Sequence, residues 1–168
     1  MAQSFIADAM LKKLARWLRI FGVDVEFADL PDNQILALLD IHRGRALLTQ
    51  DVQLHGRAIH RGFKSFLVPR DLNIEGQLAA VYKEFSLNLE DFPSKTVCPS
   101  CNGPLNAAKK SEVKEKVLEN VYASHRKFWL CGKCGKAYWE GSHWKRINET
   151  AREIKKMLKE GKRTTKSA

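Results

Sequence analysis

Four short apolar runs, each closed by a polar break, punctuate the first half of the chain, and stretches of helical period fill the gaps between them. Ala46 to Leu48 lies between Gly44 and the polar Thr49-Gln50-Asp51, too tightly bounded for a helix, and reads as a buried strand. Ser4 to Asp8 has the same form. Val23 to Phe27 alternates apolar with acidic residues and reads as a strand with one exposed side, and Phe63 to Val68 reads as a fourth strand ended by Pro69-Arg70-Asp71. After Asp8, Leu11, Leu14, Ala15 and Leu18 share one helical face and Lys12, Arg16 and Arg19 another, with Gly22 as the stop. Asp32 is placed to N-cap a helix through Ile35, Leu36, Leu38 and Leu39 to Gly44. A helix from Val52 to Arg61 turns Leu54, Ala58 and Ile59 inward, and one from Asn73 to Phe85 does the same with Ile74, Leu78, Val81 and Phe85. The alternation of strand and helix, joined by right-handed crossovers, predicts an α/β unit over residues 1–90, a parallel sheet covered by helices on both faces.

The pattern breaks from Ser86 to Thr96, which holds Pro93 and has no period, and the second unit is organised differently. Its cysteines, the only four in the chain, form two C-x-x-C pairs, Cys98/Cys101 and Cys131/Cys134, separated by 29 residues. Thiolates so spaced on tight turns can both reach one tetrahedral zinc at about 2.3 Å, and a second pair closes the site, leaving no open position for water. A structural zinc ribbon over residues 91–146 follows; redox dithiols and an iron–sulfur cluster are the alternatives. Asn102-Gly103-Pro104 and Gly135 supply the turns. The charged insert from Lys109 to Lys127 is expected to form an arm or a hairpin. The aromatics of Tyr138 to Trp144 either pack the ribbon or, as the second choice, stack on exposed bases. Lys145 to Lys159 has helical period with Ile147, Ala151, Ile154 and Leu158 on one face, and Gly161 to Ala168 reads as a disordered tail, so residues 147–168 are expected to be a basic helix and tail.

Charge sharpens the division. Residues 1–95 carry 12 basic and 12 acidic residues, whereas residues 96–168 carry 17 basic and 7 acidic, so the whole net charge of +10 lies in the second half. That asymmetry points to a polyanion, nucleic acid before membrane surface. No window approaches the roughly 20 apolar residues of a membrane span, and the start has no charged-then-apolar leader pattern, so a cytoplasmic protein without a membrane role is expected. At 168 residues and 44% hydrophobic, one core and a small satellite module are affordable.

Candidate chemistry lies at the strand ends. In open α/β sheets the ligand site lies outside the carboxyl ends of the strands. Asp8 and Asp51 both fall there, and two carboxylates on one edge could hold a hard divalent cation, Mg²⁺ or Mn²⁺, that activates water and stabilises charge on a scissile phosphate. Asp32 could add a third carboxylate as well as a cap, and Thr49 could hydrogen-bond a metal-bound water or the phosphate. Lys12, Arg16, Arg19 and Arg43 would position a nucleic-acid strand, with the ribbon and its basic helix, beginning at Lys145 and Arg146, adding affinity.

The order F-I-A-D-A-M-L-K-K-L-A-R-W-L-R-I-F-G at Phe5 to Gly22, L-L-T-Q-D at Leu47 to Asp51, C-P-S-C-N-G at Cys98 to Gly103 and C-G-K-C-G-K-A-Y-W-E-G-S-H at Cys131 to His143 resembles the Mut7-C family over Phe5 to Arg146. The resemblance implies a PIN-like three-layer α/β/α sandwich followed by a zinc ribbon, a metal-dependent ribonuclease activity, and an acidic cluster matching Asp8 and Asp51, with Asp32 and then Asp71 carried over less directly. It implies RNA as the partner, leaves the ribosome or tRNA open as its source, and leaves open a homodimer. Two other classes compete. A phosphorylatable receiver domain would want a second acid beside Asp8, where Ala7 and Ala9 stand, and a lysine where Pro69-Arg70 end the fourth strand. A non-catalytic RNA-binding or ribosome-associated protein on a PIN-like scaffold would account equally for the charge, and would tolerate alanine at Asp8 and Asp51.

Overall fold

The computed structural model describes residues 3–90, 92–93 and 95–164, with side chains to residue 160. The first unit alternates as its pattern predicts: β1 (Ser4–Asp8), a single 3-10 turn (Ala9–Leu11) opening into α1 (Lys12–Ile20), β2 (Val25–Ala28), α2 (Asp32–Ile41), β3 (Arg45–Thr49), α3 (Val52–His60), β4 (Ser65–Leu67) and α4 (Ile74–Glu84). The four strands form one parallel sheet in the order β2-β1-β3-β4.

The period-2 geometry of a strand splits the core into two layers. Phe5, Ala7, Ala46 and Leu48 face Leu14, Leu18, Leu78 and Val81 of α1 and α4, while Ile6 and Leu47, on the opposite face of the same strands, meet Ile35, Leu36, Leu39, Leu54 and Ala58 of α2 and α3. Both sheet faces are covered, as a parallel sheet of continuous apolar strands requires. Ile59 departs from expectation: it is 50% exposed, because Leu54 and Ala58, four apart, define the inward face of α3 and the next residue is turned about 100° away from it.

The second unit is a three-stranded antiparallel sheet, β5 (Leu105–Ala108), β6 (Phe128–Cys131) and β7 (Ala137–Trp139), in the order β5-β6-β7. The insert between the knuckles is neither hairpin nor arm. It folds as a 3-10 turn (Lys110–Val113) that buries Val113 completely, followed by a short helix, α5 (Glu119–Ser124), with no buried residue.

The last helix, α6 (His143–Thr164), begins earlier and ends later than its period suggests, so the disorder expected from Gly161 is replaced by helix as far as Thr164; residues 165–168 lie outside the described residues. Ile147, Ala151, Ile154 and Leu158 pack into the α1/α4 layer of the first unit. Aromatic rings lead into this contact: Trp144 lies 5.9 Å from Phe92, whose ring meets Phe21 edge-on at 5.1 Å. The basic helix is therefore part of the first core, and the chain returns to where it began after making the small sheet.

Candidate active site and metal centre

From β1 the chain steps to one side to make β2, then crosses to the other side to make β3. The strand order reverses between β1 and β3, the point at whose carboxyl edge open α/β sheets bind their ligands. Asp8 and Thr49 end those two strands, one residue beyond the paired Ala7 and Leu48. Asp8 is only 4% exposed; its Oδ1 accepts from the Met10 N–H at 3.0 Å, capping the 3-10 turn, and its Oδ2 accepts from the Thr49 hydroxyl in a short hydrogen bond. The same hydroxyl accepts from the Asp51 N–H at 2.9 Å. Asp51 N-caps α3, its Oδ1 taking the Gln53 and Leu54 N–H groups at 2.7 and 2.9 Å. Thr49 is wholly buried, and its hydroxyl is engaged within the chain, orienting one carboxylate and fixing the backbone of the next.

The other acids go elsewhere. Asp32 is the first residue of α2, which Pro31 leads into, and its side chain makes no capping bond; the carboxylate pairs with Arg57 of α3 at 3.0 Å, still favourably placed at the positive end of a helix. Asp71 stands exposed in the turn between β4 and α4. Among the described residues no three carboxylates converge, and the only group of three or more ligands that comes together is the cysteine set. A residue not singled out from sequence, Arg70, stands beside Asp51: its Nε donates to the Gln50 carbonyl at 3.0 Å. The available signal was positional, since Arg70 follows β4, and β4 lies next to β3.

The expected nucleic-acid contacts divide. Lys12, Arg16, Lys145 and Arg146 are exposed. Arg43 is exposed but pairs with Asp40 at 3.6 Å between the end of α2 and the start of β3, which is the amino edge of the sheet, away from Asp8 and Asp51. Arg19 is a correction. It is 6% exposed, with Nε donating to the Val25 carbonyl at 2.8 Å and one terminal nitrogen donating to the Pro99 and Ser100 carbonyls, each at 3.2 Å. Burial lowers its pKa, which neighbouring Cys101 and Cys98 act to raise. Arg19 thus ties α1 and β2 to the first cysteine knuckle. Asn102 adds to the joint, its Oδ1 accepting from the Val25 N–H at 3.2 Å and its Nδ2 donating to Asp24 at 2.6 Å; Asp24 is in turn paired with Arg45 at 2.9 Å.

The four cysteine sulfurs lie within 4.8 Å of one another. Cys98 and Cys134 are 3.7 Å apart and Cys101 and Cys131 3.4 Å, far beyond a disulfide bond of about 2.05 Å and near the roughly 3.8 Å edge of a tetrahedron with 2.3 Å metal–sulfur bonds. The knuckles are built alike. The N–H of Asn102 reaches back to the Cys98 carbonyl and that of Gly135 to the Cys131 carbonyl, both at 2.9 Å, with Asn102 and Gly135 at positive φ. A Cβ at Gly103 would meet the Cys131 sulfur at 2.9 Å and the Cys101 sulfur at 3.3 Å, so only glycine leaves room for the cluster. Burial pushes the Cys101 thiol up to about 12, whereas at Cys131 the same effect is outweighed by the Lys133 and Cys134 N–H groups, each 3.4 Å from the sulfur, and the thiol is held down at about 6. The Tyr138 hydroxyl, 3.1 Å from the Cys98 sulfur, offers that sulfur a proton donor. An all-sulfur donor set of this size could hold a metal ion such as zinc.

A family model described as the Mut7-C RNAse domain matches residues 3–151. No curated protein and no solved structure matches the chain.

Proposed function

Because this chain belongs to the Mut7-C RNAse domain family, we propose that it is a ribonuclease that hydrolyses RNA phosphodiester bonds with Mg²⁺ or Mn²⁺ at the carboxyl edge of a PIN-like sheet. The observation that carries this reading is the coupling of Asp8 to Asp51 through one buried hydroxyl at the point where the strand order reverses. Two carboxylates suit a magnesium-type site, which keeps several waters and takes the rest of its ligands from substrate phosphate, better than a calcium-type cage of many protein oxygens. Such an ion would act as a Lewis acid on the scissile phosphate. Asp8 and Asp51 would hold it, Thr49 would keep the Asp8 carboxylate from rotating, and Arg70 would meet a phosphate oxygen beside Asp51. Lys12 and Arg16, exposed on α1, would guide the flanking strand, with Lys145 and Arg146 contributing at the start of α6. The cysteine cluster would hold zinc for structure, and residues 1–90 and 91–146 would serve as the cutting unit and its ribbon.

A second reading, RNA binding without cleavage, is favoured by two observations: Asp32 is held in an ion pair, and among the described residues the acids do not gather in threes. The two separate in a cleavage assay on a panel of structured and single-stranded RNAs, with zinc present throughout and Mg²⁺ or Mn²⁺ added or withheld. The ribonuclease reading expects divalent-dependent cutting that Asp51→Asn abolishes. Salt-sensitive binding with no cutting under any divalent condition would replace it with the scaffold reading.

A further inference from the structure

The ribonuclease reading leaves open where the body of the RNA is held, and α6 supplies an answer. At about 100° per residue, Lys145, Arg152, Lys156 and Lys159 fall along one line on the side of α6 opposite Ile147, Ala151, Ile154 and Leu158, with Lys155 on its margin. All five cations are exposed. Of the three acids on the helix, Glu149 and Glu153 turn to the other flank, where with Arg146 they line a groove against Asn73 and Glu75 at the start of α4, and Glu160 lies beside the cations at the far end of the line.

Arg152/Lys156 and Lys155/Lys159 are like-charged pairs four residues apart, each unfavourable by about 0.2–0.5 kcal/mol, while Lys145/Glu149 and Lys156/Glu160, the opposite-charge pairs at the same spacing, do not close as ion pairs. None of the ion pairs found among the described residues involves these cations. The helix dipole does not account for them either, because its effect is confined to the last turn and Arg152 lies three turns before Thr164. The line is also rigid, since the opposite face of the helix is built into the core.

We propose that this face of α6 is a phosphate rail, a sequence-independent binding site for the backbone of a single RNA strand. Its length from Lys145 to Lys159 is about 21 Å at 1.5 Å per residue, long enough to meet several successive phosphates. An anionic membrane surface is the other polyanion a basic helix can meet, but a helix that lies on lipid must offer its apolar face to it. In α6 that face is buried, and no large exposed hydrophobic residue lies among the helix's described side chains. Lys145 lies within the family match, which ends at residue 151, and Arg152, Lys155, Lys156 and Lys159 fall beyond it.

The test is binding of a fluorescently labelled, unstructured 20-nucleotide RNA to the full chain in the Asp51→Asn background, without Mg²⁺ or Mn²⁺, across a salt series. Neutralising three cations, R152Q/K156Q/K159Q, should remove about three phosphate contacts. The slope of log affinity against log salt would then fall by about 2, with roughly 100-fold weaker binding at 0.1 M salt. The charge-conserving R152K/K156R/K159R should bind like its parent, and E149Q/E153Q on the other flank should bind no more weakly. Unchanged slope and affinity in the triple glutamine variant would overturn the proposal. So would binding to phosphatidylserine vesicles that depends on these cations when RNA binding does not. The readout involves no cutting, so a chain that fails to cleave would refute the ribonuclease reading without touching the rail, and the reverse.

Discussion

Arg19 offers the sharpest test of how the two units are joined. Arg19→Met keeps the buried aliphatic stem but removes the guanidinium, leaving the Val25, Pro99 and Ser100 carbonyls without their donors. A hydrogen bond from a charged donor is worth about 1.5–3 kcal/mol, and the two bonds to the knuckle share one nitrogen and count as one. The gross loss is therefore about 3–6 kcal/mol, offset in part because a cation nearly excluded from water no longer has to be desolvated; a net loss of about 2–4 kcal/mol follows. Roughly half of it belongs to the knuckle, so about 1–2 kcal/mol should couple zinc binding to the stability of the parallel sheet. That coupling is reciprocal and corresponds to roughly 5- to 30-fold in zinc affinity. The assay is urea unfolding of both proteins, zinc-loaded and zinc-stripped, with zinc affinity measured by competition with a chromogenic chelator. In the unsubstituted chain, stripping zinc should lower the midpoint of the parallel-sheet unit as well as that of the ribbon; in Arg19→Met it should affect the sheet much less. Equal shifts in the two proteins would show that the ribbon is an independent module and that Arg19 joins nothing.

Thr49→Val should destabilise by about 2–4 kcal/mol, because the nearly buried Asp8 carboxylate loses its hydroxyl donor and the Asp51 N–H its acceptor, whereas Thr49→Ser keeps both bonds and loses about one methyl group. Urea midpoints decide the point, and a serine variant less stable than the valine variant would refute the assigned role. Gly103→Ala forces a Cβ to within 2.9 Å of the Cys131 sulfur and should release zinc at far lower chelator concentration; retention of zinc at the unsubstituted level would sink the claim of close approach. Burial raises the Tyr82 pKa above its ordinary value. The folded chain then holds a proton that the unfolded chain gives up near pH 10, so Tyr82 contributes full stability below pH 10 and loses it at up to about 1.4 kcal/mol per pH unit above. Tyr82→Phe should be close to neutral at pH 7, given a hydroxyl contact of only 3.5 Å, and should blunt that alkaline loss; identical alkaline melting curves for the two proteins would contradict it.

How much of this was legible depends on the range over which each residue acts. β1 and β3 were readable because a short apolar run between polar breaks has only one way to be buried, and the parallel order followed from alternation. The cysteine pairs were readable because metal ligation needs fixed local spacing. Arg19 was misread because its spacing from Lys12 and Arg16 marks a surface stripe on an isolated helix; its burial is created by a knuckle 80 residues away in sequence. Thr49 and Asp32 take partners that the sequence does not name, for a related reason. Their partners, Asp8 and Arg57, come from other elements, and period alone does not say which of two nearby polar groups a side chain will choose. α6 showed its apolar face in the sequence, but nothing local told whether that face would meet the ribbon or return to α1 and α4.

Val25 stands on the outer rung of β2, at the border of the parallel sheet, and both its outward backbone groups are occupied: its carbonyl by Arg19, its N–H by Asn102 of the first knuckle. An uncovered sheet border is a template on which a second chain can add a strand. If the knuckle lets go when its sulfurs lose their metal, that N–H becomes free to pair with a neighbour. The ribbon thus shields against self-association, and metal-starved preparations should turn cloudy on concentration before they lose their helices.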